Sequence, residues 1–544
     1  MPKQDFKGEG RLMGVKMGRR DFIGFVSAAA AAGLVPGVVS RAFAAEGGPL
    51  PMGAKKPFSF EGVLGWAREQ AQKPYQAPEI SDALKNVLSR IDYDAYQHIK
   101  FDTEKSLWRH TDGVPPVALF HQNRVSMEKV RIYTVTDGQA QEVQYDPSAF
   151  RYSGDIKAAD MPQDAGWGGF RLLYDNDPSR DWLAFLGASY FRSAGPQDQY
   201  GLSARAVAIN TALHDKTEEF PRFTEFWLAP THDGGMRIYA LLDSPSLTGA
   251  MQMTCKKPND HDIVMDVTVR FFTRQAVRRL GVAPLTSMFW FSEINRDEAV
   301  DWRPEIHDND GLAIWTGTGE RLWRPLDNPK QTRTSSFVDQ SPKGFGLMQR
   351  DRNFANYEDD GVFYERRPSL WIEPKGEWQK GMVQLLEIPT DDEIHDNIVA
   401  YWTTDEEVPA GEERAFQYRM HWMVDALFGD AKVGHVIATR TGRAGVPGQK
   451  RPDKGLKYAI DFAGGDLANY TTEQKTVVPD VTASHAAIQN AYCLRVVGQD
   501  YWRLVFDIFP DGTGPVNLRA ALKANGRLLT ESWVFEHREH NFSG

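Results

Sequence analysis

Short runs in which polar and apolar residues alternate recur along this chain, and they constrain its fold more than any other feature. In one pair, residues 130–135 and 142–145 flank Asp137-Gly138, a combination typical of two antiparallel strands joined by a tight turn. No long stretch alternates strand-like with helix-like patterns, which disfavours a parallel α/β sheet. The sequence therefore predicts a mainly β, mostly antiparallel fold. Further runs of the same kind lie at residues 236–242, 262–272, 312–315 and 381–388.

A segment rich in glycine and proline, residues 428–455, divides the predicted β structure into two units. We interpret this segment as a linker with a long loop, between a large β domain at 45–427 and a smaller unit at 456–544. In the smaller unit, Asn525-Gly526 separates two strand-like runs, which is a strong hairpin signal. About 100 residues of short strands are typical of an immunoglobulin-like sandwich.

The first 44 residues have the pattern of an export signal. Arg19 and Arg20 precede an apolar stretch at 22–39, and small residues at 42–44 suit a signal peptidase. A transmembrane anchor is the alternative, but proline and several glycines interrupt a run that is already shorter than about 20 residues. The sequence thus predicts a cleaved twin-arginine signal peptide at 1–44 and a periplasmic mature protein.

Charge and motif content exclude several classes of function. Removing residues 1–44 takes away seven basic and three acidic side chains, so the net charge of −10 becomes −14, which disfavours nucleic acid as a partner. Cys255 and Cys493 cannot form a disulfide framework, although one bridge between them stays open. Phosphate-binding and zinc-binding motifs are absent from the sequence, so we predict neither a cofactor nor a metal.

The pentapeptide Glu-Ile-His-Asp-Asn occurs twice, at 305–309 and 393–397. Glycoside hydrolysis needs one protonated carboxyl group and one ionised carboxylate, and each copy offers carboxylates beside a histidine and an amide. Alternatively, these are polar loop ends whose Asp and Asn residues cap turns. A calcium site built from Asp308 and Asp310 is a third interpretation, although no EF-hand-like loop surrounds it. The spacing alone leaves these alternatives open.

Ten sequence strings resemble the periplasmic glucan biosynthesis protein D/G family, and its D branch more closely. They follow one order from about residue 57 to 535: 102–108 (DTEKSLW), 185–192 (FLGASYFR), 199–205 (QYGLSAR), 218–221 (EEFP), 284–289 (PLTSMF), 342–347 (PKGFGL), 367–371 (RPSLW), 396–399 (DNIV), 438–442 (ATRTG) and 461–466 (DFAGGD). The twin-arginine leader also resembles the D branch.

The resemblance implies a fold and a function. The fold is a large mutarotase-like β-sandwich, or supersandwich, followed by a smaller immunoglobulin-like sandwich. The implied activity is that of an inverting glycoside hydrolase or transglycosylase acting on the β-1,2-glucan backbone of osmoregulated periplasmic glucans. A non-catalytic glucan-binding or assembly factor for the glucan synthase is the alternative. Besides β-1,2-glucan, the implied partners are a second copy of the chain and the synthase at the inner membrane.

The resemblance also implies roles for residues in the matching strings. Asp396 corresponds to the general acid and Asp308 to the general base. Tyr364 corresponds to a tyrosine near the reacting sugar, and Glu393 to another acidic position of the site. The loop at 441–455 is shorter than in hydrolytic D-type members, so hydrolysis, transfer and cyclisation all stay open.

Two further residues are candidates for sugar binding. The chain contains 15 Trp, and indole faces stack on the C–H faces of sugar rings, so Trp371 is a candidate platform. Arg205 is a candidate hydrogen-bond donor to sugar hydroxyls. For both residues, burial in the core is the competing interpretation.

Overall fold

The computed structural model describes residues 49–259, 262–424, 432–452, 454–512 and 514–538. The predicted signal peptide at 1–44 lies outside the described residues. In the described part of the chain, no helix is both long enough and apolar enough to cross a bilayer.

Helices are few and short, and most precede the β structure. Ser81 is the N-cap of one of them: its hydroxyl accepts a hydrogen bond from the Leu84 N–H, and Leu84, Val87 and Leu88 are buried. The α-helices are α1 (Phe60–Ala71), α2 (Asp82–Ser89), α3 (Tyr93–Gln97) and α4 (Phe354–Tyr357). Single turns of 3₁₀-helix lie at Thr103–Lys105, Pro147–Ala149, Ala158–Asp160, Arg296–Glu298, Tyr364–Arg366, Gly465–Asn469 and Thr472–Gln474.

Strands make up most of the regular structure, which confirms the predicted mainly β class. In chain order they are β1 (Met52–Pro57), β2 (Ile99–Phe101), β3 (Val117–His121), β4 (Arg131–Thr136), β5 (Gln139–Val143), β6 (Phe150–Tyr152), β7 (Trp167–Leu173), β8 (Asp181–Leu186), β9 (Tyr190–Ser193), β10 (Ser203–Arg205), β11 (Val207–Ile209), β12 (Arg222–Pro230), β13 (Met236–Asp243), β14 (Leu247–Asn259), β15 (Asp262–Thr273), β16 (Leu280–Ser287) and β17 (Phe289–Phe291). They continue with β18 (Ile306–His307), β19 (Gly311–Trp315), β20 (Arg321–Pro325), β21 (Arg333–Gln340), β22 (Gly344–Met348), β23 (Ser369–Lys375), β24 (Lys380–Glu387), β25 (Ile398–Thr403), β26 (Glu413–Met423), β27 (His435–Arg443), β28 (Leu456–Ala463), β29 (Val477–Ala483), β30 (Ala486–Arg495), β31 (Tyr501–Pro510), β32 (Val516–Ala524), β33 (Arg527–Leu528) and β34 (Ser532–His537).

Two large sheets share one apolar core. The larger sheet runs β1-β5-β4-β12-β13-β14-β15-β26-β23-β22-β19-β20-β34-β32-β29, with β33 beside β32. The smaller runs β21-β24-β25-β16-β10-β9-β8-β7-β3, with β11 beside β16. Side chains alternate between the faces of each strand. In β9, for example, Phe191 packs into the core that both sheets share, and its neighbours Tyr190 and Arg192 take the opposite face.

Both predicted hairpins form where the turn residues indicate. β4 and β5 pair around Asp137-Gly138, with Thr136 opposite Gln139. Asn525 and Gly526 join β32 to β33 with φ values of 50° and 75°, the left-handed conformation that two-residue hairpin turns require.

The C-terminal strands form a second sandwich that is continuous with the first. A four-stranded sheet, β27-β28-β31-β30, faces β34, and Tyr458 on β28 contacts Trp533 on β34 at a ring-centroid distance of 5.5 Å. β34 also pairs in parallel with β20, which joins the second unit to the larger sheet. β27 lies inside the segment predicted to be a linker, because its pairing with β28 gives residues 435–443 a place in the second unit.

The two cysteines are not bonded to each other. Cys255 is buried in the large core, and Cys493 is partly buried on β30.

Candidate functional site

The two copies of the repeated pentapeptide lie next to residues 287–289, the first in and after the short strand β18 and the second in the turn before β25. Asp308 follows β18, and its backbone N–H donates to the Met288 carbonyl at 2.8 Å. Asp396 lies in the turn between β24 and β25. The next residue, Asn397, hydrogen-bonds to the backbone of Phe289. Residues 287–289, where β16 leads into β17, therefore contact both turns.

Arg192 connects the two candidate catalytic residues electrostatically. This arginine of β9 is 6% exposed, and its guanidinium lies 4.9 Å from the centroid of the Tyr200 ring. Burial lowers the pKa of Arg192, whereas Tyr200, Asp396, Asp181 and Asp308 raise it. The two aspartates are 88 positions apart in sequence, yet both act on one buried cation. Together with the hydrogen bonds of residues 288 and 289, this indicates that the turns carrying Asp308 and Asp396 are neighbours.

Asp308 is buried and paired. It is 4% exposed, and Arg367 donates to its Oδ1. Burial raises the pKa of Asp308, and the positive charges of Arg367, His307 and Arg192 oppose that rise. The Arg367 guanidinium also lies over the ring of Tyr364, 4.0 Å from its centroid.

Tyr364 and Glu393 belong to the same network of contacts. The Tyr364 hydroxyl donates to Glu393, and Arg303 binds both oxygens of Glu393 at 3.0 and 3.1 Å. Arg303 also donates to Asp359 at 2.7 Å. A continuous chain of polar contacts thus leads from Asp308 through Arg367, Tyr364 and Glu393 to Arg303. Four of the six residues singled out in the sequence, Asp308, Asp396, Tyr364 and Glu393, lie in or next to it.

Trp371 and Arg205 lie elsewhere. Trp371 is 4% exposed and belongs to the large apolar core on β23, which leaves little indole surface for a sugar. Arg205 is buried on β10, where it pairs with Glu218 at 3.0 Å and lies over the rings of Tyr190 and Phe220. Neither shares a described contact with the network around Asp308, so sugar binding by these two residues stays a prediction.

His307, the residue directly before Asp308, belongs to a buried cluster that is otherwise acidic. His307 Nε2 is 3.1 Å from Glu305, and its Nδ1 is 3.7 Å from Asp310. Burial lowers the pKa of His307, but Glu305 and Asp310 outweigh it and raise that pKa to about 9. Burial and the charge of Glu305 raise the pKa of Glu293 to about 8. An ionised His307 therefore balances part of the acidic charge next to Asp308.

The contacts of Asp308 and Asp310 do not favour the calcium interpretation. Asp310 accepts hydrogen bonds from the backbone N–H groups of Arg350 and Asp351, at 2.6 and 2.9 Å. Asp308 is occupied by Arg367. Within the described residues, no group of three or more His, Cys, Asp or Glu residues has a geometry that could hold a metal ion.

Comparison with known proteins places this chain among its relatives. A family described as "Periplasmic glucan biosynthesis protein, MdoG" matches residues 58–537. The chain belongs to this family. The match extends over both sandwiches, and it confirms the resemblance that the ten sequence strings indicated.

Curated relatives align over almost the whole chain. Glucans biosynthesis protein D 2 of Ralstonia nicotianae is 42% identical over 514 residues, which cover 92% of this chain and 94% of that protein. Glucans biosynthesis protein D of Stenotrophomonas maltophilia is 43% identical over 529 residues, 96% of this chain and 98% of the relative. The protein of that name from Xanthomonas campestris pv. campestris is 42% identical over 527 residues, again 96% and 98%.

Among solved structures, one from Synechocystis sp. PCC 6803 aligns with 55% of this chain and 97% of its own, at 9% identity and a TM-score of 0.16. A likeness this weak bears on neither fold nor function.

Three arginines of this family member were not singled out as site residues in the sequence. Arg192 and Arg367 stand in two of the strings that carry the resemblance, and Arg303 lies two residues before the first pentapeptide. Partly or fully buried arginines are the usual partners of buried carboxylates. For Arg192 and Arg367 the available signal is their place in family strings, and for Arg303 it is proximity to the first pentapeptide.

Proposed function

We propose that this protein is an inverting glycoside hydrolase or transglycosylase that acts on the β-1,2-glucan backbone of osmoregulated periplasmic glucans. Asp396 is the proposed general acid and Asp308 the proposed general base. The observation that carries the proposal is that one backbone segment, residues 288–289, hydrogen-bonds both to Asp308 and to Asn397, the residue next to Asp396. Family membership supports glucan as the polymer.

The environments of the two carboxyl groups suit different roles. Asp396 is partly exposed, so it can reach the oxygen of a leaving sugar. Asp308 is buried, and burial raises its pKa, which makes its ionised form a stronger base. The Arg367 guanidinium favours that ionised form. An inverting reaction requires room between the two carboxyl groups for water, a separation of about 6.5–9.5 Å.

Tyr364 and Glu393 are proposed to bind the sugar next to the reacting bond. The Tyr364 ring is fixed from one side by Arg367, and its hydroxyl is fixed by Glu393. Arg303 in turn holds both oxygens of Glu393. Such pre-organisation lowers the reorganisation that binding would otherwise require. The proposal does not depend on Trp371 or Arg205, whose side chains are buried, and sugar binding by these two residues stays a prediction.

We also propose where the mature protein is located and which partners it has. The mature protein is exported by the twin-arginine route to the periplasm, where glucan is made. A second copy of the chain and the glucan synthase of the inner membrane are the proposed protein partners. Nucleic acid is not a partner, because the mature charge of −14 repels it.

A second candidate is a non-catalytic glucan-binding or assembly factor for the synthase. The ion pair between Arg367 and Asp308 favours it, because a carboxylate held by a guanidinium is a weaker base. The two candidates differ in whether the covalent structure of the glucan changes.

The deciding experiment incubates purified mature protein with linear β-1,2-glucan and follows chain length and reducing ends. Shorter chains with new reducing ends indicate hydrolysis, and redistribution of chain lengths at constant reducing ends indicates transfer between chains. Rings of fixed size that lack a reducing end, formed together with shortened chains that keep theirs, indicate cyclisation. Unchanged glucan that still binds to the folded protein would refute the enzymatic proposal and favour the assembly factor.

A further inference from the structure

We propose that Asn309 and Asn397, the last residues of the two pentapeptides, are positioning residues that set the separation of Asp308 and Asp396. Each asparagine hydrogen-bonds to one shared segment, residues 287–289: Asn397 binds its backbone, and Asn309 binds the Ser287 hydroxyl. The inference rests on the proposed function in one respect, that the separation of these two carboxyl groups matters for turnover.

Asn397 binds the segment with its whole side chain. It is 2% exposed, and its Oδ1 accepts from the Phe289 N–H at 2.8 Å. Its Nδ2 donates to the carbonyls of Phe289 and Ile388, both at 2.9 Å. The side-chain amide of Asn397 therefore pairs with the N–H and the carbonyl of Phe289. It also pairs with the carbonyl of Ile388, just after the end of β24. An aspartate cannot donate the last two bonds, and an alanine leaves all three backbone groups without this partner.

Asn309 binds the other end of the same segment. It is fully buried, and its Oδ1 accepts from the Ser287 hydroxyl at 2.7 Å. Its Nδ2 lies 3.4 Å from the Pro368 carbonyl, next to Arg367, which pairs with Asp308. Between the two asparagine contacts, the Asp308 N–H donates to the Met288 carbonyl at 2.8 Å. Ser287 and Met288 therefore contact the turn that carries Asp308, and Phe289 contacts the turn that carries Asp396.

The segment itself is fixed by strand pairing on both sides. Ser287 is opposite Ile398 in the β16–β25 ladder, and Phe289 is opposite His307 in the β17–β18 pair. Each aspartate is followed directly in sequence by an asparagine that is hydrogen-bonded to this segment. A substitution that shifts Asn309 or Asn397 is therefore expected to shift the carboxyl group of the aspartate next to it.

These contacts separate positioning from ordinary turn capping. A capping Asn or Asp binds backbone groups about two or three residues away in its own turn. Asn397 instead binds Phe289, which is 108 positions away, and Asn309 binds Ser287, which is 22 positions away. The repeated pentapeptide thus carries a long-range contact in both copies.

Asn397→Ala is the main test, and Asn123→Ala is its matched control. Asn123 is also fully buried and also binds two backbone groups, the N–H groups of Val125 and Ser126 at 2.9 Å, but within its own turn. We expect Asn397→Ala to lower kcat on linear β-1,2-glucan by about 10²-fold, the effect of a 1 Å misplacement, with KM changed by less than about twofold. The control loses thermal stability but keeps the wild-type kcat.

Crystal structures of the same variants test the inference without any turnover. In Asn397→Ala the distance between the Asp308 and Asp396 carboxyl carbons differs from that in wild type, and in Asn123→Ala it does not. If wild type leaves glucan unchanged, the proposed function fails, and these structures still decide the positioning role. An unchanged distance in Asn397→Ala, or a kcat no lower than that of Asn123→Ala, overturns the inference.

Ser287→Ala keeps the test decisive if Asn397→Ala does not fold. It removes one hydroxyl and leaves every backbone group of the segment in place. We expect a smaller fall in kcat than for Asn397→Ala, again with little change in KM, and a shift of Asp308 relative to Asp396. A Ser287→Ala protein with wild-type kcat and wild-type carboxyl separation contradicts the role of Asn309.

Discussion

Replacing Arg367 by methionine removes the charge next to Asp308 and keeps most of the aliphatic side chain. Asp308 is 4% exposed, and the Arg367 side chain is 13% exposed, so the variant leaves a carboxylate in a site that water hardly reaches. Removing one partner of a buried ion pair costs about 3–5 kcal/mol of unfolding free energy. The lost contact with the Tyr364 ring adds about 0.5–1 kcal/mol. Proton uptake by Asp308 reduces the total, because the neutral carboxyl is cheaper to bury.

The sign of the pH dependence follows from this proton uptake. Without the guanidinium, burial raises the pKa of Asp308 further above its unfolded value of about 3.9. A group with a raised folded pKa stabilises the fold fully below the unfolded pKa, and that contribution is lost as pH rises through the folded pKa. The stability deficit of Arg367→Met against wild type is therefore smallest near pH 4 and widens toward pH 8. Turnover needs an ionised base, so the acidic limb of its pH profile moves to higher pH.

Urea unfolding followed by tryptophan fluorescence at pH 5 and pH 8 measures the deficit. Arg278→Met is the control, because Arg278 pairs with Asp215 at 2.6 Å with side chains that are 48% and 64% exposed. Exposed pairs of this kind contribute about 0–1 kcal/mol, with little pH dependence in this range. Equal stability of the two variants at both pH values would refute the argument that Arg367 compensates a buried charge.

Three further predictions concern single side chains of the site and the core. Asp396→Asn lowers turnover by about 10²–10⁴-fold and leaves unfolding free energy within about 0.5 kcal/mol; near-normal turnover would remove Asp396 as the acid. Tyr364→Phe loses its hydrogen bond to Glu393, so unfolding free energy falls by about 1.5–3 kcal/mol and glucan affinity falls with it; wild-type values for both would contradict the network. Trp371→Ala lowers unfolding free energy by about 3–5 kcal/mol because the residue lies in the core; glucan affinity measured by calorimetry stays unchanged, and a large loss of affinity without loss of stability would identify Trp371 as a sugar contact.

Local features of the fold were predictable from sequence where the cause is local. Asp137-Gly138 and Asn525-Gly526 adopt left-handed backbone conformations at little cost, and both turns form as predicted. The Ser81 cap satisfies an N–H group three residues away, so nothing outside α2 is needed to place it. The end of the first unit was less predictable, because β27 becomes a strand only when β28 pairs with it.

The candidate site was only partly predictable. Sequence strings and the repeated pentapeptide singled out Asp308 and Asp396 but could not show that the segments carrying them are neighbours. The partners of their charges, Arg192 and Arg367, come from β9 and from the segment before β23. No local pattern in those segments specifies a carboxylate partner, since the pairing depends on which strands become neighbours. Trp371 shows the opposite case, in which a residue type suited to sugar binding packs into the core.

The sequence by itself determined the strand class, the hairpin turns, the helix cap and, through its family strings, membership of the glucan biosynthesis family. Each of these depends on residues that are close in sequence or on a string that can be matched directly. Only the tertiary structure decided that β16, β17 and β25 bring Asn309 and Asn397 onto one segment, and that the charges of two remote turns both act on Arg192. The physical reason is that strand pairing across more than 100 positions, such as Ser287 with Ile398, is fixed by the packing of whole sheets. Alternation within one strand specifies which side chains share a face, and the neighbouring strands specify what that face meets.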